Sequence, residues 1–302
     1  MRKTDAPVAG QVTTADGLLI IDKPAGWTSH DVVAKLRRLT GTRRVGHAGT
    51  LDPLATGVLV VGVGKATRLL GHLTLAEKEY QATILLGQAT DTCDADGTVI
   101  GGAPASGVTL TEVRVAAQAF TGEIQQVPPA VSAIKVGGTR AHKLARAGAT
   151  PALAARSVTV RSFSVISARG TEDLLAVDVA VTCSSGTYIR SLARDLGEAL
   201  GVGGHVSMLR RTRAGAYDLS LARGLDGLDP GEALIPLERA AADAFPSRAL
   251  TDEEARWLSH GGRLPATGAA AGPVAAFGPD GTLIALVEDH DGHAKPLAVF
   301  VP

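Results

Sequence analysis

The sequence has few cysteines and no long apolar segment, and each shortage excludes a class of protein. Its 302 residues include two cysteines, Cys93 and Cys183, and neither has a second Cys or a His nearby at metal-ligand spacing. The count excludes a disulfide framework, and the spacing disfavours a zinc site. No apolar run reaches the roughly 18 residues that a membrane-spanning helix needs. The N-terminus lacks the apolar middle region of a signal peptide, so we expect a cytoplasmic protein that does not use a membrane.

Acidic residues are absent from residues 32–51 and from residues 124–171, and both stretches carry several Lys and Arg. The whole chain has 30 basic and 30 acidic residues, so its formal net charge is zero. A neutral chain with such basic stretches favours a polyanionic partner, nucleic acid first. A solvated basic face would explain the same charges, so composition alone leaves both interpretations open.

Three motifs for other chemistries are incomplete or missing. In GVGKAT, residues 62–67, a phosphate-binding loop would need Gly where Leu59 stands and Ser or Thr in place of Ala66. In DTCDADG, residues 91–97, a calcium loop would need a Glu at its twelfth position, but residues 100–107 contain no acid. A solvated acidic turn is the better interpretation there. No Gly-x-Ser-x-Gly marks an esterase nucleophile, and we expect neither a cofactor nor a metal.

The apolar pattern predicts more strands than helices, and several strands follow one another without a helix between them. Strands are predicted over residues 17–22, 58–63, 80–86, 132–136, 157–167, 174–183 and 205–217. Helices are predicted over residues 28–39, 110–120, 139–148 and 187–200. This order favours an α+β fold with a mixed, mainly antiparallel sheet over a doubly wound parallel sheet.

The elements also divide the chain. Residues 1–16 are predicted to be a flexible tail, and residues 17–245 one large domain. Near Pro246 the pattern restarts with a helix and three short strands, which predicts a small β-rich domain over residues 246–302.

Asp52 is a lone carboxylate in Thr-Leu-Asp-Pro, just before a predicted buried strand. An Asp before Pro commonly caps a turn or a helix start. Alternatively, it is an ionised, partly desolvated nucleophile or base, which would need an Arg nearby to balance its charge. Spacing alone leaves both interpretations open.

Several longer segments together resemble one known family. GHAGTLDPLATGVLVVGVGKATRL is similar to the second signature of the TruB-type tRNA pseudouridine-55 synthases, and LLIIDKPAGWTSHDVV to their first. KEYQATILLGQATDTCDADG, VPPAVSAIKVGGTRAHKLARAG, CSSGTYIRSLARDLGEALG and HVSMLRRTRAGAY match in the same order and spacing. The resemblance covers about residues 17–237, which is nearly the whole predicted main domain.

The resemblance implies an enzyme that isomerises uridine to pseudouridine at position 55, in the T-loop of tRNA, without a cofactor or metal. The target uridine lies in a folded loop, so its base must be flipped into a pocket. The family's catalytic Asp corresponds to Asp52. It would act either by attack, which forms a covalent adduct, or by deprotonation at the sugar, which yields a glycal, and the sequence leaves both routes open.

The resemblance also implies roles for other residues. Arg190 would pair with Asp52, and Tyr80 would stack on the flipped base and take part in proton transfer, although a strand Tyr is more often a packing residue. The predicted substrate-binding residues are His47, in the space vacated by the base, Tyr188, Leu209 and Lys23. Lys23 lies in the first signature, where a structural role is the alternative. The predicted contacts to the RNA backbone are Arg37, Arg38, Lys143, Arg210 and Arg211.

Two segments depart from the family pattern. Ala130-Val131 and His142 stand where other residue pairs or an aromatic residue are common, which puts the RNA contacts of that segment in doubt but not the chemistry. The C-terminal unit resembles a small PUA-like RNA-binding domain in position and size. We expect a monomer with the tRNA T-stem-loop as its partner. The alternative is an RNA-binding or RNA-folding protein that keeps the scaffold without catalysis.

Overall fold

The computed structural model describes residues 15–132, 134–136, 138–140, 153–266, 268 and 272–301. These residues form two compact units, each assembled from separate segments of the chain. Unit 1 takes its residues from Met1–Asp52, Val58–Thr74 and Gly215–Pro302, and unit 2 from Pro53–Gly57 and Leu75–Ala214. Most of the predicted tail, residues 1–14, and the positions of His142 and Lys143 lie outside the described residues.

Unit 1 contains an N-terminal group of elements and a C-terminal sheet. Its strands are β1 (Gly17–Lys23), β2 (Val45–Ala48), most of β3 (Thr56–Val63), β13 (Tyr217–Asp218), β14 (Ile235–Pro236), β15 (Ser247–Ala249), β16 (Leu264–Pro265), β17 (Val274–Phe277), β18 (Leu283–His290) and β19 (His293–Val299). Its helices are α1 (Ser29–Thr40), α2 (Leu70–Leu73), α5 (Pro230–Ala233), α6 (Leu237–Ala244) and α7 (Asp252–Ser259), together with a 3₁₀ turn at Gly64–Arg68. The labels α3 and α4 belong to unit 2.

The N-terminal sheet of unit 1 runs in the order β14-β1-β3, with β2 antiparallel to β3. Most of β1 is apolar, and its residues Leu18 to Ile21 are at most 2% exposed, so this part of the strand is buried on both faces. The C-terminal strands form a separate sheet in the order β15-β17-β18-β19-β16. Leu258 of α7 packs in the apolar cluster of this sheet, which gives the C-terminal segment its own small core.

Helix α1 begins where its capping residues predict. Thr28 is the N-cap: its hydroxyl accepts a hydrogen bond from the Asp31 N–H, and the Asp31 carboxylate accepts one from the Thr28 N–H. This reciprocal pair is a capping box, which satisfies two N–H groups that the helix itself cannot. The Thr28 hydroxyl also donates a hydrogen bond to the Asp31 carboxylate at 2.6 Å, and this bond, with the one from the Thr28 N–H, holds the pKa of Asp31 below its usual value. Gly41, in the left-handed conformation, ends the helix.

Unit 2 is built around one large sheet. Its strands are β4 (Lys78–Leu86), β5 (Ala89–Thr90), β6 (Val99–Gly101), β7 (Gly122–Gln126), β8 (Lys135–Val136), β9 (Thr139–Arg140), β10 (Arg156–Gly170), β11 (Leu175–Cys183) and β12 (Gly204–Ala214). Its helices are α3 (Leu110–Gln118) and α4 (Ile189–Ala199). The sheet runs β12-β4-β11-β10-β7, with all these neighbours antiparallel.

The structure confirms the α+β class and the mainly antiparallel pairing, and it corrects one region. A helix was expected over residues 139–148, but its first two residues, Thr139–Arg140, form β9 and pair with Lys135–Val136. Gly138, just before β9, adopts a φ of 85°, which glycine accommodates without strain where the chain turns. The rest of that expected helix, residues 141–148, lies outside the described residues. Separately, no helix in the described part of the chain is long and apolar enough to cross a membrane.

Candidate active site

Asp52 lies in unit 1, half-buried, in the loop between β2 and β3. The residue before it, Leu51, is buried, and a single side chain forms hydrogen bonds with both its N–H and its C=O. The Ser29 hydroxyl donates a hydrogen bond to the Leu51 carbonyl at 3.1 Å and accepts one from the Leu51 N–H at 2.9 Å. The backbone that carries Asp52 is therefore attached to the first turn of α1.

His47 lies on β2, opposite Val61 of β3, and is half-buried. Its ring meets the ring of His30 edge to face, with centroids 5.6 Å apart and planes at 83°. His30 is an exposed residue in the first turn of α1. The same helical turn thus contacts both the strand that carries His47 and the loop that carries Asp52.

Lys23 is fully buried next to the turn that leads into α1. Its ammonium group donates hydrogen bonds to the carbonyls of Pro24 at 3.0 Å and Trp27 at 2.6 Å. A buried lysine normally needs such partners because an unpaired charge in the interior is costly. These contacts stabilise the turn, as the structural alternative for Lys23 expects, and its substrate-binding role stays a prediction.

The segment that follows Asp52 belongs to unit 2 and is held by backbone pairing. Thr56 and Gly57 pair in parallel with Arg210 and Arg211 of β12. Gly57 has a φ of 95°, and a Cβ at this position would lie 2.2 Å from the Arg211 carbonyl oxygen. Only glycine allows this approach, so the residue is required by the path of the chain after the Asp52 loop.

Tyr80, Leu209 and Arg211 lie on one face of the unit 2 sheet. In the register of β4 and β12, Tyr80 is opposite Arg211, and Leu209 is opposite Ala82. Directly opposed residues of antiparallel strands share a face, and all of these side chains are buried. The structure therefore brings together Tyr80, expected to stack on the flipped base, and Leu209, expected to bind substrate, and it places the buried cation of Arg211 on the same face.

Arg211 is 1% exposed, which contradicts its predicted role as a surface contact for RNA phosphate. It contributes charge to the interior instead: burial, together with Arg211, lowers the pKa of Lys78 to about 8. Arg210 is half-buried and donates a hydrogen bond from Nη1 to the Thr56 hydroxyl at 3.3 Å. Arg210 and Arg211 differ in burial because successive residues of a strand point to opposite faces of the sheet.

Arg190 is 3% exposed at the start of α4, where three groups of unit 2 contact its guanidinium. Nη1 donates to the Thr92 carbonyl at 2.8 Å, Nη2 donates to the Val131 carbonyl at 2.9 Å, and Nε lies 3.5 Å from the Asp94 carboxylate. Val131 contributes its backbone carbonyl and not its side chain. The departure from the family pattern at Val131 therefore does not remove this hydrogen bond to Arg190.

Asp94 corrects the expectation of a solvated acidic turn at residues 91–97. It is 5% exposed, and its carboxylate also accepts hydrogen bonds from the Thr92 hydroxyl at 2.5 Å and the Asp96 N–H at 3.2 Å. Cys93, between Thr92 and Asp94, adopts a φ of 60°, and burial raises the pKa of its thiol. A non-glycine residue in this conformation is strained, and such strain concentrates at functional sites.

Tyr188, the N-cap of α4, is positioned by Gln126, which sequence analysis missed. The buried Gln126 amide accepts a hydrogen bond from the Tyr188 N–H at 2.8 Å and donates one to the Tyr188 carbonyl at 3.1 Å. The amide can do both because it carries a donor and an acceptor. No local pattern marks Gln126, since it lies 62 residues before its partner.

The basic side chains of residues 32–51 and of residues 124–171 differ in how they are paired, as far as these stretches are described. Arg37 and Arg38, in the last turn of α1, are exposed, as are Arg43 and Arg44 in the following loop. Arg37 also donates a hydrogen bond to the Val45 carbonyl. In residues 124–171, by contrast, Arg161 forms an ion pair with Glu77, and Arg169 with Asp178. The exposed cations of the first stretch are the better candidates for phosphate contact.

Within the described ranges, no three His, Cys, Asp or Glu side chains cluster so that they could hold a metal ion. In unit 1, hydrogen bonds hold the backbone next to the half-buried Asp52 carboxylate. In unit 2, two carbonyls and the Asp94 carboxylate orient the buried Arg190 guanidinium. Groups of this kind suit acid–base or nucleophilic chemistry.

Family profiles match most of the chain. Residues 37–189 match the N-terminal domain of the TruB family pseudouridylate synthases. The chain belongs to the TruB family of pseudouridine synthases. Residues 190–230 match the tRNA pseudouridylate synthase B C-terminal domain, and residues 245–301 match the C-terminal region of tRNA pseudouridine synthase II. The family indicated by the sequence motifs is thereby confirmed.

Curated relatives match along almost their whole length. The chain is 57% identical over 290 residues to tRNA pseudouridine synthase B of Thermobifida fusca, with 95% of this chain and 99% of the relative covered. It is 55% identical over 296 residues to the protein of the same name from Streptomyces coelicolor, with 95% and 98% covered.

Solved structures of the family share the fold. A Cbf5-Nop10-Gar1 complex matches with a TM-score of 0.72 and 29% identity, over 95% of this chain and 85% of the matched chain. An H/ACA RNP bound to a substrate RNA containing 2'-deoxyuridine matches with a TM-score of 0.69 and 28% identity, over the same shares of the two chains. This TruB-family chain therefore has the pseudouridine synthase fold with a β-rich C-terminal region.

Proposed function

We propose that this protein isomerises uridine to pseudouridine at position 55, in the T-loop of tRNA, with Asp52 as nucleophile or base. The observation that carries the proposal is the half-buried carboxylate in the family's signature loop, whose preceding residue is bound by Ser29 and whose following segment pairs with β12. Close relatives named as tRNA pseudouridine synthases support the substrate class.

The reaction exchanges one bond for another without oxidation. The bond between C1' of the ribose and N1 of uracil breaks, the ring turns, and C1' bonds to C5. The proton on C5 is lost, and N1 gains a proton. No group donor is required, and the carboxylate of Asp52 either attacks to form an adduct or removes a sugar proton to form a glycal. In both routes it must be ionised when the reaction begins.

Arg190 is proposed to balance the charge of Asp52. Its guanidinium is oriented by two backbone carbonyls and by Asp94, so little reorganisation would be needed as charge develops during the reaction. Tyr80 and Leu209 are proposed to contact the flipped uracil, and Tyr80 to take part in proton transfer, because they share a buried face of the sheet. Tyr188 is proposed as a neighbouring substrate contact.

His47 is proposed to fill the space that the flipped base leaves. Extruding a base costs a few kcal/mol, and a side chain that replaces its stacking offsets part of this cost. The edge-to-face contact with His30 would hold the imidazole in place. The proposal also includes a domain boundary at residue 246, followed by a PUA-like RNA-binding C-terminal domain. It further includes a monomeric state and a cytoplasmic location.

The proposal is tested by incubating the protein with unmodified tRNA and mapping pseudouridine by carbodiimide treatment and primer extension. A single new stop, one nucleotide to the 3' side of position 55, is the expected result. A protein that binds tRNA but leaves no mark in the T-loop would support the alternative, an RNA-binding protein without catalysis.

Salt dependence tests the basic surface. Affinity for tRNA is expected to fall steeply with ionic strength because binding of phosphates by basic side chains releases counterions. A variant carrying Arg38→Gln and Arg43→Gln should reduce the slope of log affinity against log salt by about 1 for each phosphate that is no longer neutralised. Arg239→Gln, which removes an exposed cation paired with Asp243, is the control and should leave the slope unchanged. An unchanged slope in the double variant would mean that these side chains are merely solvated.

A further inference from the structure

We infer that Ser29 is a positioning residue for Asp52: its buried hydroxyl sets the carboxylate by bonding to both backbone groups of Leu51. The inference rests on the proposed role of Asp52, and it concerns a residue to which neither the sequence motifs nor the relatives' names give a role. Ser29 is 1% exposed and Leu51 is 4% exposed, so the two hydrogen bonds lie in the interior and not on the surface.

The need for this hydroxyl follows from the backbone of Leu51. Its N–H and C=O are buried in a loop, outside any helix or strand, and buried backbone groups must find partners elsewhere. A serine hydroxyl has one donor and two acceptor sites, so a single Oγ can serve both groups. Alanine at this position would leave a buried donor and a buried acceptor unsatisfied, and the loop would shift to recover partners.

The hydroxyl is itself held in place by α1. Ser29 is the first residue of the helix, directly after the Thr28 N-cap and its capping box with Asp31. Val32, Val33 and Leu36 bury the inner face of the same helix. The position of Leu51, and through one peptide bond that of Asp52, is therefore set by a helix whose start and packing are both fixed.

A shift of this loop should affect the chemical step and not the binding of RNA. A displacement of about 1 Å at a reacting group can reduce a rate by roughly 100-fold. Ser29 is buried and so offers the RNA no contact surface. For Ser29→Ala we expect the single-turnover rate to fall about 10- to 100-fold, while the Kd for tRNA stays within about twofold.

The experiment measures single-turnover pseudouridine formation at saturating enzyme, the Kd for tRNA by filter binding, and the Tm. The matched control is Thr40→Val, which removes a buried hydroxyl from the other end of the same helix, where Oγ1 donates to the Leu36 carbonyl at 2.7 Å. Both variants should lower the Tm, but only Ser29→Ala should lower the rate. Ser29→Thr, which keeps the hydroxyl but adds volume, should be faster than Ser29→Ala.

Three results would overturn the inference: a wild-type rate in Ser29→Ala, an equal loss of rate in Thr40→Val, or a slower rate in Ser29→Thr than in Ser29→Ala, which would assign the effect to packing.

If Ser29→Ala does not fold, Ser29→Cys takes its place. Its thiol is a weak donor, so its rate should fall with an unchanged Kd, and a wild-type rate would refute the inference. An Asp52→Asn variant is measured in parallel. If that variant is active, the proposed role of Asp52 is wrong; if it is inactive while Ser29→Ala is fully active, only the inference about Ser29 is wrong.

Discussion

Replacing Asp52 with Asn is expected to lower the single-turnover rate of pseudouridine formation by roughly 10⁴-fold or more, the scale of loss seen when an enzyme's nucleophile is removed. Asparagine has nearly the same shape as aspartate, but it is neutral and can neither attack as a carboxylate nor accept a proton. The loop should remain in place because Leu51, and not Asp52, bonds to Ser29. Pseudouridine is quantified in tRNA by carbodiimide mapping after single-turnover incubation.

The matched control for Asp52 is Asp226→Asn, another loss of one negative charge in unit 1. Asp226 is fully exposed and pairs with Lys35 at 3.4 Å, an interaction worth little at the surface. Its rate should stay within about twofold of wild type, and both variants should bind tRNA. Activity in Asp52→Asn within about tenfold of wild type would rule out Asp52 as nucleophile or base.

Replacing Asp94 with Asn is expected to damage both stability and catalysis. The change neutralises the carboxylate that lies 3.5 Å from the buried Arg190 guanidinium, and breaking a buried ion pair from one side costs about 3–5 kcal/mol of unfolding free energy. Asn is close to Asp in size, so packing changes little. We expect the rate per folded molecule to fall about 100-fold because the orientation of Arg190 is no longer maintained. Urea unfolding and single-turnover kinetics measure the two effects.

Asp96→Asn is the control for Asp94, since it removes a charge two residues away in the same turn from an exposed side chain. Its unfolding free energy should change by less than about 0.5 kcal/mol, as at most surface positions. If Asp94→Asn and Asp96→Asn behave alike, Asp94 neither orients Arg190 nor stabilises the turn. If Asp94→Asn lowers stability but not the rate of the folded fraction, its role is purely structural.

Local sequence patterns predicted the elements that are determined by local physics. The capping residues Thr28 and Asp31 indicated the start of α1, and the apolar runs indicated β1, β4 and β11 to within two residues. Such elements are predictable because caps and hydrophobic periodicity act over a few residues. The short strand Thr139–Arg140, which pairs with Lys135–Val136, was missed because the helical pattern of the sequence that follows outweighed the two glycines before it.

The candidate site was predicted unevenly for the same reason. Motif resemblance indicated Asp52, Tyr80, Arg190, His47 and Leu209. It did not indicate Asp94, whose short acidic turn is indistinguishable in sequence from a solvated one. Burial changed the assignment of Arg211, because charged residues are almost never fully buried unless paired and the sequence therefore favours exposure for it.

By itself, the sequence determined the family, and it indicated the chemistry to expect and Asp52 as the proposed residue at its centre, because these depend on the order and spacing of motifs along the chain. Only the tertiary structure decided which groups orient the site. Asp94 reaches Arg190 across 96 positions of the chain, Gln126 reaches Tyr188 across 62, and Ser29 reaches Leu51 across 22. Such pairings depend on sheet register and helix packing, which are set by the whole fold and leave no periodic trace in the sequence.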